Sequence, residues 1–186
     1  MRYTFIVWIA LIFTTQATAQ STKNIWKVQT LDGLTIETPH ALERQDMRVS
    51  DGVAKLLSRL NMYRALDDDL IVIYNFIEFK QELHYDLEKG LRGAVANSIL
   101  TMNGTDIKLK THKVRKDKLA LKGSGDFVKD DERVYFETFG HWNKEKQVIM
   151  VIAFAFTKKG RSMAPHVIAS AKVKGGPRPF PKKKLT

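Results

Sequence analysis

The side chains able to do chemistry are few and scattered. The five histidines are His40, His84, His112, His141 and His166, and no two share H-E-x-x-H or another metal-ligand spacing. With no cysteine in the chain, a structural zinc site lacks its usual thiolates. His141 falls in a core-like apolar run, where a histidine satisfied within a sheet is the ordinary reading. Two acidic runs, Asp67-Asp68-Asp69 and Asp130-Asp131-Glu132, lack the glycine and spacing of a calcium loop and read as solvated turns. Gly123-Ser124-Gly125-Asp126 is neither G-x-S-x-G nor a phosphate loop. Glycines inside a strand mark a bulge or a bend. No catalytic residue, metal ligand or cofactor is assigned from these residues.

The charge pattern says more. Residues 108–122 (KLKTHKVRKDKLALK) carry seven Lys or Arg against the single Asp117. Lys108, Lys110 and His112 alternate with Leu109, Thr111 and Val114, so in a strand the cations share one face. The candidate anion- or partner-binding residues are Lys108, Lys110, Lys113, Arg115, Lys116 and Lys118. A basic tail adds Arg178, Lys182, Lys183 and Lys184 around Phe180. Two readings of the strand stand side by side. Lysines on an edge strand keep it from pairing with other chains, or they form a face that grips acidic protein or anionic headgroups. The tail equally serves as a solubilising segment.

Compartment narrows the partners. Arg2, the apolar run FIVWIALIF (residues 5–13) and Ala17-Thr18-Ala19 have the order of a secretory signal, placing the mature start at Gln20. The run is too short to span a bilayer, and no second stretch approaches that length. The expected product is periplasmic or secreted, in a bacterial envelope. Removing 19 residues leaves 186 − 19 = 167, enough for one domain with a substantial core. The net charge of +11 falls to +10 because Arg2 is the signal's one charged residue. Outside the cytoplasm the available polyanions are headgroups, acidic glycans and acidic proteins, so an envelope protein or an anionic surface is expected and nucleic acid is not.

The elements that must position these cations centre on residues 132–157. Val134, Tyr135, Phe136, Phe139 and Trp142 precede a polar tetrad, and Val148 to Phe156 follow it. β-Branched and aromatic runs on both sides of a short turn predict an antiparallel hairpin. The second run is apolar on both faces, which predicts a central strand covered on both sides. Its Ile149, Val151, Ala153 and Ala155 row is small enough to suit a close helix. Residues 24–30 and 34–38 predict a strand pair turning at Asp32-Gly33. Ser50-Asp51 precedes Val53, Leu56, Leu57, Leu60 and Tyr63 at helical spacing, predicting a helix over residues 52–66. Residues 70–81 predict a long strand beside the hairpin, and residues 82–102 a long helix whose Gly90 and Gly93 permit close approach to the sheet. Two more polar strands follow at 105–116 and 119–129. A helix capped by Ser162 runs to 171, and residues 172–174 close the domain. The expected organisation is a signal peptide over 1–19, one domain over 20–174 and a basic proline-rich tail over 175–186. The expected fold class is α+β, an antiparallel sheet meander with helices packed on both faces, an α/β/α sandwich.

Four pieces carry a resemblance: GLTIETP (residues 33–39), the strand and long helix of 70–102, the meander of 105–157, and IASAKVK (residues 168–174). Their order resembles the PsbP-like (Mog-type) fold family and leaves residues 42–69 outside. The resemblance implies protein-binding and accessory roles and supplies no catalytic signature, so it assigns no site residue. The leading expectation is an exported, non-enzymatic binding domain for an acidic protein or anionic surface. The alternative is a small-molecule-binding protein or hydrolase with a cleft near residues 42–69.

Overall fold

The computed structural model describes residues 26–176 apart from 48, 83, 115–118 and 144–145. The expected signal and residues 177–186 of the tail lie outside the described residues. A hairpin of β1 (Lys27–Leu31) and β2 (Leu34–Thr38) comes first. It turns through Asp32 and Gly33, at φ 44° and 80°, the left-handed pair that Asp-Gly supplies cheaply. The closing strand β10 (Lys172–Val173) joins β2, making a three-stranded antiparallel sheet.

The large sheet has seven antiparallel strands. β3 (Glu43–Gln45) lies at one edge, followed by β4 (Leu57–Leu66), β5 (Leu70–Phe79), β9 (Gln147–Ala155), β8 (Glu132–Trp142), β7 (Ala120–Lys129) and, at the other edge, β6 (Thr105–Lys113). The expected hairpin is β8–β9, and β9 is the middle strand. Every residue from Val148 to Ala155 is buried. Both of its rows face core, and burying each large side chain contributes about 1.5–3 kcal/mol.

The long helix α2 (Leu87–Thr101) packs on one face, with Val95 and Ile99 against Ile152, Phe154, Phe127 and Phe136. Asp86 caps it, accepting from Lys89 N at 3.1 Å. On the other face, α3 (Lys158–Ser170) sets Ala164, Val167 and Ile168 against Ala153, Ala155 and Val151, while Leu34 and Ile36 of the small sheet complete that core. The small-residue row of β9 therefore receives α3 as its size suggests.

The expected α/β/α sandwich is not found. The described residues are 52% strand and 22% helix, in two antiparallel sheets with few helices. The largest single reason is residues 52–66. Only Asp51–Ala54 is helical (α1); the rest is β4, paired with β5 from Leu57↔Phe79 to Leu66↔Ile71. The helical spacing of Leu57, Leu60 and Tyr63 is overridden by a long-range partner. Asp67-Asp68-Asp69 is the tight turn between these strands, closed by Leu70 N to Asp67 O at 3.3 Å and Asp67 N to Leu70 O at 3.0 Å. The second reason is the small sheet, which covers part of a face that a helix was expected to cover.

Smaller corrections follow the same physics. α3 begins at Lys158, because Thr157 rather than Ser162 caps it by accepting from Gly160 N at 3.1 Å. Gly90 makes room for Tyr85, not for the sheet: a Cβ there would lie 1.9 Å from the Tyr85 hydroxyl oxygen. Gly93 has open space around it.

Candidate functional site

β6 is an edge strand, and its alternation sorts the basic stretch. Leu109 packs toward α2, so Lys108, Lys110 and His112 point to the opposite face, and all three are exposed. The register extends this face across the sheet. His112 pairs with Lys122, Lys110 with Ser124 and Lys108 with Asp126; on β8, Ser124 meets Glu137 and Asp126 meets Tyr135. The helix α3 reaches only the inner edge of this area, where the Arg161 guanidinium lies 5.8 Å from the centre of the Tyr135 ring. The result is a polar strip with β6 lysines on one rim and α3 on the other. Ser124, Tyr135 and Glu137, all half-buried, form its floor.

Some of the charge is neutralised within the strip. Arg133 bonds Asp126 and, at 2.6 Å, Asp106; Lys108 lies 3.6 Å from Asp106. Hydrogen bonding from Arg133 holds the Asp106 carboxyl below its usual range. The Tyr135 hydroxyl donates to Glu137 Oε1. Burial, reinforced by that carboxylate, pushes the phenol well up, so Tyr135 remains a neutral donor. Lys110 has neither an ion pair nor a hydrogen bond among the described residues, and the second oxygen of Glu137 likewise has no partner there.

A bulge sets the strip's outline. Between the pairs Thr105↔Val128 and Lys108↔Asp126, β6 carries one extra residue, with Asp106 at φ 46°. The β6 backbone then crowds Gly125, where a Cβ would lie 1.8 Å from the Lys108 carbonyl oxygen. The bulge lies in β6 and not at the glycines of 123–126, which keep regular register with Leu109 and Thr111; Gly125 is needed because the β6 backbone approaches it closely.

Not every predicted cation shares this face. Lys113 lies on the α2 side, where its charge helps hold the Glu88 carboxyl down, behind the larger effects of Thr111 and Arg92. Arg115, Lys116, Lys118, Arg178, Lys182, Lys183 and Lys184 fall outside the described residues. Sequence reasoning missed Ser124, Tyr135, Glu137 and Arg161. The signal for Ser124, Tyr135 and Glu137 is the alternation of polar with apolar residues along β7 and β8, which places them on a face only once the register is known; Arg161 joins them from α3.

The remaining candidates resolve into structural roles. His40 meets Asp67 and His166 meets Glu37, each at 2.9 Å on the surface. His141 is buried in β8. Among the described residues no group of three or more His, Cys, Asp or Glu could hold a metal, and no helix is long and apolar enough to cross a membrane. The cleft expected near residues 42–69 lacks its helical wall, since β3 and β4 are part of the sheet itself. A further polar node went unforeseen. Asp32, in the first turn, accepts from Asn61 Nδ2 at 2.8 Å and Tyr63 Oη at 2.9 Å, with Arg59 at 3.4 Å. Tyr74 Oη donates to the Leu31 carbonyl at 3.1 Å. These bonds fasten the small sheet to the large one.

No protein-family model matches the chain, and no curated protein matches it.

Proposed function

We propose that the chain is an exported binding domain of the cell envelope that holds an anionic partner against the β6–β8 face. The observation that carries this reading is the gathering of Lys108, Lys110, His112 and Lys122 on the β6–β7 part of a sheet face whose helix, α3, packs over β9 and β8. Among the described residues the carboxylates on this face, Asp106, Asp126 and Glu137, are engaged by Arg133 or Tyr135. The leader-like residues 1–19, the high positive charge and the lack of cysteine support the compartment. The resemblance of the four sequence pieces to PsbP-like domains supports a binding role. The predicted tail cations add to the attraction over a Debye length, about 8–10 Å at physiological salt.

The test is retention of the full chain on immobilised polyglutamate. Lys108→Glu with Lys110→Glu should weaken retention and flatten its salt dependence, and removal of residues 177–186 should weaken it further. Unchanged retention in the double variant, with an unchanged urea midpoint, would remove this face from the reading.

A further inference from the structure

The floor of the strip narrows the chemistry of the partner. We infer, resting on the binding reading above, that the anionic partner is an acidic polysaccharide, its acid groups held by the β6 lysines and its hydroxyls by the floor.

The argument begins with what each group asks for. Lys108 and Lys110 are about 7 Å apart along the strand and supply donors to carboxylate or sulfate groups. Glu137 lies two strands inward, about 10 Å at the backbone, with Ser124 between. Lysine side chains long enough to lean over Ser124 bring the donors and the carboxylate within the span of one sugar ring. Tyr135 satisfies one oxygen of Glu137, and the other is accessible to a ligand's hydrogen-bond donor. A strongly acidic peptide presents side chains that only accept, so its carboxylates would be repelled by Glu137 while attracted to the lysines. A sugar acid carries both groups the strip requires, an anion for the rim and hydroxyl donors for Glu137 and Ser124. A membrane surface fits less well. Among the described residues the exposed large apolar side chains are Val28, Leu66 and Leu100, on β1, β4 and α2, so the described part of the strip offers nothing to insert below the headgroups.

The experiment titrates the full chain by calorimetry with polygalacturonate, with polyglutamate at matched charge concentration, and with phosphatidylglycerol vesicles. Polygalacturonate should bind most tightly. Glu137→Ala should weaken polygalacturonate about fivefold, the loss of one hydrogen bond, and should strengthen polyglutamate, because a repelling charge has gone. Ser124→Ala, which removes the Ser124 hydroxyl and its hydrogen bond to Tyr135 but keeps both partners of the Tyr135–Glu137 contact, should weaken polygalacturonate alone. Lys108→Gln with Lys110→Gln should weaken both polymers. Polyglutamate or vesicles binding as tightly as polygalacturonate, with both polymers still weakened by the lysine variant, would overturn the glycan inference and leave the anion-binding reading standing. Failure of every polyanion to bind would overturn both.

Discussion

Arg92, in the middle of α2, donates from Nη1 to the main-chain carbonyl of Leu109 at 3.2 Å, so a helix side chain occupies a hydrogen-bonding position on the free edge of the large sheet. The same guanidinium reaches Thr111 Oγ1 at 3.2 Å and Glu88 Oε1 at 3.1 Å, and Thr111 donates to Glu88 at 2.7 Å. An open strand edge is a template for pairing with another chain. Here the edge is stitched to α2 on one side and carries lysines on the other. Lys108, Lys110 and His112 of β6 lie on the face away from α2, while Arg92 occupies the edge.

Replacing Arg92 with alanine should release that edge. The expected loss of stability is modest, about 1 kcal/mol, since the bonds are half-exposed. The larger effect should be self-association, read as a rise in apparent mass by light scattering at neutral pH and raised salt. A variant that stays monomeric to millimolar concentration would show that the lysines alone protect the edge.

Gly125→Ala should be among the most damaging single substitutions. The added methyl would meet the Lys108 carbonyl oxygen and the Phe136 ring, at 1.8 and 2.8 Å, and the first of these is backbone. A loss of about 2–4 kcal/mol is expected, measured by urea denaturation. Gly93→Ala, with open space at the site, should instead gain up to about 1 kcal/mol through helix propensity.

The contrast between these glycines shows what could be read from sequence. The β5 and β9 strands were legible because their apolar rows run on both faces, a pattern that only a covered central strand produces, and β8 because aromatic and β-branched residues precede a short turn into β9. β4 was not, because Leu57, Leu60 and Tyr63 fit a helix as well as a strand, and only pairing with β5 decides between them. Gly93 and Gly125 look alike in sequence; the bulge beside Gly125 arises from β6, in a separate segment of the chain. Of the candidate site, the alternation of Lys108, Lys110 and His112 was legible. The carboxylate and hydroxyl floor was not, because Glu137 reaches the strip through register. The Asp32 node has partners 29 and 31 residues away, beyond any local pattern.

Asp32→Ala tests the junction between the two sheets. It strips the shared acceptor from Asn61 and Tyr63 and the counter-ion from Arg59. A destabilisation of about 2–3 kcal/mol is expected, with faster hydrogen exchange in β1 and β2 than in β5 or β9. Equal acceleration in both sheets would mean the small sheet does not open separately.

Asp69 gives the fold a dependence on pH. Hydrogen bonds from Lys159 and Thr157 hold its carboxyl below the ordinary range. A carboxylate whose native pKa is depressed adds stability that is present above its unfolded value, about 4, and is lost as pH falls through the native value. The melting-temperature difference between the parent and Asp69→Asn should therefore be constant from pH 7 to about 5 and shrink below about pH 4. A difference that stays constant down to pH 2 would mean the variant acts through packing at the start of α3 instead.

The proposed binding face is tested most directly by amide NMR of the full chain during titration with polygalacturonate, or with polyglutamate if that polymer binds more tightly. The expected shifts lie at Lys108, Lys110, His112, Lys122, Ser124, Tyr135 and Glu137, and they should fade as salt is raised. Shifts confined to α2 and the opposite sheet face, or none at saturating polymer, would contradict the assignment of this surface as the site.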